Sequence, residues 1–266
     1  MNRSIGLDFL KGIAIIAVVL YHFELLPLGY LGVDVFLVIS GFLVTRGLIK
    51  GFADQNFNYF QFVTKQLTRF LPLIALASVV SLVLGYFVML PDDLENLSQS
   101  IVASNLFANN ILSCITTNYW DISTTYKPLM HLWYLGVVLQ FYLLYPFLFW
   151  LCYKTPIGQS RLFAILLTLV LFSLGLYLCP FFSSTVKFYY LPFRFFELGL
   201  GGLLALLVAK KQTTPPLKIC TTSILILSLI LYVVGGELSD ILIVNVITIG
   251  FILASLGLQD KEERTN

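Results

Sequence analysis

The chain is written in long apolar blocks separated by short polar ones. Near-uninterrupted apolar runs lie at about residues 10–26, 31–49, 70–90, 132–152, 162–179, 195–209, 217–234 and 238–258. Each approaches the roughly 20 residues that cross a bilayer as a helix. The pattern predicts an all-α, polytopic membrane bundle of about eight transmembrane helices. The sixth run, at about 15 residues, is short for a crossing, so it either tilts into its neighbours or begins earlier. One membrane domain is expected over 1–258, followed by a short charged cytoplasmic tail at 259–266. No cleavable signal peptide is expected, because Asp8 and Lys11 sit where its apolar core would build.

The polar connections are unequal. The long one, about 91–131, opens with Pro91-Asp92-Asp93 as a helix start and continues as an amphipathic stretch to about Ile115. It ends in the polar, aromatic patch Thr116-Thr117-Asn118-Tyr119-Trp120-Asp121. A connection of that length is usually functional. No internal repeat or inverted hydropathy symmetry is visible.

Composition agrees with the pattern. Hydrophobic residues make up 58% of the chain, charged residues 11%, and mean hydropathy is +0.90. Soluble domains carry about 25% charged residues, so this chain lacks the polar surface of a soluble globule. With the N-terminus inside, thirteen of the sixteen Lys and Arg residues fall on one side of the membrane; only Lys127, Lys187 and Arg194 fall on the other. That is the positive-inside asymmetry, and it orients 91–131 outward. The net charge of +2 reflects topology and points to no nucleic-acid partner. The four cysteines show no metal-ligand spacing, and no metal site is expected. Cys114 and Cys179 fall at the outer boundary, where a disulfide or free apolar thiols are both open readings.

The first span carries a polar stripe. On a helix Lys11 and His22 lie within about 20° of one another and roughly 16 Å apart, and Asp8 lies within about 40° of the same face. Polar groups at such depth usually face a protein interior or a wet path. Lys11 also suits a snorkelling anchor, and His22 an interfacial residue. The second histidine, His131, opens the fourth span beside Trp133, where an interfacial belt residue is the plainer reading. Histidine is the usual base for activating a hydroxyl. Lys65 and Arg69 share one helical face at the inner boundary, either as topology anchors or as a site for a phosphorylated ligand. Arg194 and Glu197, three residues apart, suit a structural ion pair or an embedded pair lining a cavity.

Together these segments resemble the acyltransferase 3 family of integral membrane O-acyltransferases. LDFLKGIAIIAVVLYH (7–22) is similar to the family's opening Asp-Gly-Leu-Arg-Gly-Ile-Ala…Tyr-His, and GYLGVDVFLVISGFLVT (29–45) to its second helix. Lys65…Arg69-x-x-Pro72 resembles its basic motif before helix three. NYWD (118–121) with KPLMHLWYLGVVLQFYLLYP (127–146) resembles its outer loop and histidine-tryptophan helix, and YLPFRFFELGLGGLLAL (190–206) its Pro-x-Arg-x-Trp-Glu-Leu helix. Five motifs in order are far more specific than any one of them.

The resemblance implies an O-acetyltransferase of the bacterial inner membrane. It would use cytoplasmic acetyl-CoA as donor substrate, with no bound cofactor, and a hydroxyl of a cell-surface or lipid-linked glycan as acceptor. It implies His22 and His131 as catalytic residues, and Lys11, Arg46, Lys65 and Arg69 as the donor site. It implies Asp34, Tyr119, Asp121, Trp133, Arg194 and Glu197 as the acceptor-side pocket. Membrane lipid is the surrounding partner. Four departures stand out: Lys11 for the family's arginine, Phe196 for its tryptophan, and Val138-Leu139 for two glutamates; the family's further two helices and Ser-Tyr-x-Leu-Tyr-Leu motif are also missing before Asn266. The chain therefore resembles a C-terminally truncated member. The alternatives are a truncated, impaired relative that serves as a partner subunit or is an inactive remnant, with the missing helices supplied by another chain as a further option, and, less favoured, a transporter, which would call for repeat symmetry.

Overall fold

A computed structural model describes residues 5–116, 127–153, 158–210 and 240–253. The described helices are α1 (Ile5–His22), α2 (Gly32–Ala53), α3 (Tyr59–Val88), α4 (Pro91–Asn105), α5 (Asn109–Thr116), α6 (Trp133–Tyr153), α7 (Gly158–Leu178), α8 (Ser184–Tyr189) and α9 (Leu191–Lys210). A further helical stretch, α10, covers Asp240–Leu253. The described residues contain no strand. Among the described residues six helical segments are long and apolar enough to cross a membrane, and the chain is a multi-pass helical membrane protein. The expected span at 217–234 and the tail at 259–266 lie outside the described residues.

The boundaries follow local chemistry. α1 stops at His22, short of the expected residue 26, because Glu24 takes a left-handed backbone (φ 59°). α3 starts at Tyr59, a full eleven residues before its apolar run, since the Asn58 side chain accepts a hydrogen bond from the Gln61 amide (3.1 Å) and caps it. The short sixth run begins earlier than its hydropathy: α9 opens at Leu191 and follows the one-and-a-half-turn α8, itself capped by Ser183.

By its contacts the chain forms two compact units, Met1–Lys50 with Glu197–Asn266, and Gly51–Phe196. In the first, α1 and α2 form a tight antiparallel hairpin through a 3-10 turn at Pro27–Leu31. A Cβ on Gly32 would stand 2.6 Å from the Ala14 carbonyl oxygen, and one on Gly29 would run into the Ala17 carbonyl. Only glycine admits so close an approach. Further along α2, Gly41 faces the Leu198 carbonyl of α9, and Gly201 of α9 faces the Val38 carbonyl.

The core of this unit gathers Leu7 and Leu10 of α1, Val38, Ile39 and Phe42 of α2, Leu204, Ala205 and Val208 of α9, and Ile249, Ile252 and Leu253 of α10. The first turns of α1 thus meet the last turns of α9 and α10.

In the second unit α6 is central, packing on α3, α5 and α7. An aromatic ladder fills its core: Phe141 stacks on Tyr145 at 4.6 Å, Tyr145 meets Phe149, and Phe149 meets Phe52. The Tyr59 hydroxyl donates to the Leu143 carbonyl (3.1 Å), fastening the start of α3 to α6.

Candidate functional site

The first unit carries His22 on the last turn of α1. Asp8, Lys11 and His22 lie on one unbroken helix, so the stripe drawn from their spacing is real geometry. His22 is exposed, while Asp8 and Lys11 are half-buried. The Tyr21 ring packs edge-on against the imidazole at 5.3 Å and against Tyr30 at 5.7 Å, holding the end of α1 on the turn that follows. Asp34 is buried (1% exposed). Gly32 sits level with Ala14 and Val18, so Asp34 lies roughly 12 Å below His22 along the hairpin. The two are separate features and form no direct dyad. Arg46 is exposed on α2.

The second unit holds the other described candidates except Glu197, which falls in the first. His131 is exposed in a 3-10 turn, Met130–Leu132, which runs straight into α6. Trp133, the first residue of α6, is buried against Phe188 (4.6 Å) and Tyr189 (5.5 Å). The Arg194 guanidinium lies over the opposite partner of that contact, the Phe188 ring, at 5.4 Å. Trp133 and Arg194 are therefore joined through Phe188, a residue that the sequence motifs did not single out. Arg194 and Glu197 occupy successive positions of one face of α9, and both are almost fully buried, at 3% and 0% exposed. Charged groups so placed in an apolar helix usually mark a functional site. Tyr119 and Asp121 lie outside the described residues.

Two polar residues that the motifs missed, Asn109 and Asn110, hold this region together. Asn109 donates its side-chain amide to the Leu129 carbonyl (2.8 Å), fixing the turn that carries His131. Asn110 donates to the Tyr189 carbonyl (3.1 Å) and exchanges hydrogen bonds with Gln140. The Tyr190 hydroxyl bonds the Cys114 side chain. The available signal was the Asn-Asn pair opening a short amphipathic helix. Just before the turn, burial pushes the Lys127 amine below its ordinary value. Cys114 and Cys179 are not joined in a disulfide. Among the described residues no His, Cys, Asp and Glu side chains gather as a metal site.

On the opposite end of α3, Lys65 and Arg69 are exposed and one turn apart, with Arg69 over the Phe70 ring at 5.4 Å. Lys65 lines an open groove of about 560 Å³ with Asn58, Phe60, Gln61, Thr64 and Thr68. Cationic, hydroxyl and amide groups on one face suit a phosphorylated ligand. Lys65 and Arg69 belong to the second unit, Lys11 and Arg46 to the first.

Comparison with known proteins places this geometry. A family model described as an acyltransferase domain matches residues 4–260. An uncharacterized protein of Haemophilus influenzae is 33% identical over 181 residues, covering 65% of this chain and 73% of that protein. The peptidoglycan O-acetyltransferase OatA of Listeria monocytogenes is 32% identical over 179 residues, 62% of this chain and 29% of that protein. A putative O-acetyltransferase of Staphylococcus aureus is 33% identical over 152 residues, 55% of this chain and 24% of that one. The chain thus corresponds to less than a third of the length of the latter two relatives. No solved structure matches. Nearly the whole length of the chain lies within the family match, and the chain belongs to the acyltransferase 3 family of membrane proteins.

Proposed function

We propose that the chain is an O-acetyltransferase of a bacterial inner membrane, moving an acetyl group from cytoplasmic acetyl-CoA to a hydroxyl of a cell-envelope glycan. The observation that carries this reading is the match to the acyltransferase domain together with relatives named O-acetyltransferases. The basic asymmetry supports a cytoplasmic N-terminus. The Lys65 groove and Arg69 then face the cytoplasm and take the phosphates of CoA, with Lys11 and Arg46 as further cations on that side. His22 faces outward.

The chemistry asks for few groups. The His22 imidazole takes the proton of the acceptor hydroxyl as the hydroxyl oxygen bonds to the acetyl carbonyl carbon; the carbon–sulfur bond of the thioester breaks, CoA leaves as thiolate, and the imidazolium gives up its proton to solvent as the thiolate takes one from solvent. His131, Trp133 and Arg194 bind and orient the sugar, with Asp34, Tyr119, Asp121 and Glu197 as further acceptor-side groups.

Val138 and Leu139 are buried and apolar, where the family often has two glutamates. That favours a second reading, an impaired member acting as a partner subunit. Reconstitution in proteoliposomes with acetyl-labelled CoA decides between them. Label on envelope glycan, with loss of glycan acetylation when the gene is deleted, is the expected result. No transfer by the purified chain, restored when a second membrane chain is added, would establish the partner reading.

A further inference from the structure

α4 turns back along α3. Only Met89 and Leu90 separate Val88 from Pro91. Two contacts then set the register: a Cβ on Gly85 would meet Leu97 at 2.8 Å, and Asn105 donates its side-chain amide to the Ser78 hydroxyl at 3.1 Å. Positions fall along α3 as they rise along α4, so the two helices are antiparallel. Asn105 ends α4 beside a residue ten positions before the end of α3, a descent of about 15 Å.

That depth places the elbow inside the bilayer. From Phe70 to Val88 α3 carries no charged side chain, and 19 residues of helix rise about 28 Å, close to the hydrocarbon thickness. Ser78 sits near the middle of that stretch. Large apolar side chains of α4 and α5 are left uncovered at this level: Val102 is 60% exposed, Leu106 72%, Ile111 39% and Ile115 74%. α3 is likewise exposed and apolar at Val79, Val80 and Val83, a surface that faces lipid because α3 is a crossing helix. In water such a patch would promote aggregation.

The angle between α4 and α5 encloses a groove of about 630 Å³. Its polar end is Glu95, Ser98 and Gln99; its other end is Leu106, Ile111 and Ile115. We propose that α4 and α5 form a re-entrant hairpin, and that this groove seats one hydrocarbon chain of a lipid from the leaflet in which α3 ends. The polar-to-apolar gradient matches an amphiphile, its headgroup toward Glu95 and its chain toward Ile111. Asp92, Asp93 and Glu95 at the mouth disfavour an anionic headgroup. The depth of the groove beside the crossing helix α3 is what selects lipid over a second copy of the chain. The site does not depend on which reaction the protein carries out.

Photo-crosslinking of the full chain in phosphatidylethanolamine nanodiscs tests this. p-Benzoylphenylalanine is placed at Leu106 or Ile111, with Asp93 as the control position and Ile115 as a substitute where a variant loses the parent's monodisperse profile. Irradiation should give, at 106 and 111, a protein mass increased by one phospholipid, with the adduct on the acyl chain, and none at 93. A covalent dimer instead of the lipid adduct would assign the groove to a second copy. Intact benzophenone without adduct would show a water-filled groove. Either result overturns the proposal.

Discussion

Asn110 and Gln140 are paired through both halves of their amides: Gln140 Nε2 donates to Asn110 Oδ1 at 3.0 Å, and Asn110 Nδ2 donates back to Gln140 Oε1 at 3.4 Å. Asn110 is fully buried and also serves the Tyr189 carbonyl. Asn110→Leu leaves two polar groups without partners in an apolar bundle. A loss of about 1–3 kcal/mol is expected for such a group, read as a lower midpoint in detergent unfolding. An unchanged midpoint would mean that water or Gln140 alone satisfies the site.

Gly41 and Gly201 make the opposite kind of demand, for absence of a side chain. Gly41→Ala drives a methyl into the Leu198 carbonyl, and overpacking of this type costs about 1–3 kcal/mol. Gly47, on the same helix, has open space around it. Gly47→Ala should therefore be neutral or stabilise by up to about 1 kcal/mol. Size-exclusion profiles and melting in detergent distinguish the two; equal behaviour would refute the close α2–α9 contact.

The groove at Lys65 predicts a donor phenotype. Lys65→Gln combined with Arg69→Gln should weaken acetyl-CoA binding at least about tenfold, since hydrogen bonds to charged groups are the stronger class. Membrane insertion should be intact. Unchanged affinity in the inserted double variant would return both residues to anchoring.

His22→Ala should lower glycan acetylation about 10²–10⁴-fold, the contribution of a general base, with unaltered protein in the membrane. His131→Ala should raise the acceptor concentration needed for half-maximal rate more than it lowers the maximal rate. Acetylation that survives His22→Ala removes it from the chemistry.

Lys127 predicts a pH dependence. Burial disfavours its charged form and lowers its pKa from the ordinary lysine value of about 10.4. The folded state then binds fewer protons than the unfolded one between the two values, so this group's contribution to stability rises with pH there. Competitive acylation with mass-spectrometric readout should titrate Lys127 below a free lysine. Coincident titration would refute the burial.

The legible part of this molecule was its period. The stripe Asp8–Lys11–His22 follows from 100° per residue and needs no tertiary knowledge. Helix starts were harder. Gln61, Thr64, Lys65 and Thr68 read as a polar connection because hydropathy sees their polarity, whereas the Asn58 cap and the fit of Tyr59 against Leu143 make them the first turns of α3. The α4 segment reads as an outer amphipathic stretch from its Pro91-Asp92-Asp93 start and the basic asymmetry of the chain. Its helix start at Pro91 holds, but its return along α3 depends on one serine and one glycine, Ser78 and Gly85, which carry no directional signal in sequence. The candidate site shows the same division. Trp133 and Arg194 stand out by type, while Phe188, which joins them, is one phenylalanine among 23.

The contact between Gly41 and the Leu198 carbonyl also sets an order of events during synthesis. The α1–α2 hairpin closes on neighbours fewer than twenty residues away and can form as soon as it leaves the ribosome. The side of α2 that receives α9 must wait while roughly 160 further residues are made, which takes about 8–30 s at ordinary elongation rates. Through that interval a strip of bare backbone lies open in the bilayer, offering the same small-residue surface to any passing helix. Nascent chains are therefore most exposed to mispairing between α2's emergence and α9's arrival, and membrane insertases or quality-control proteases that read unassembled helices would find their target there.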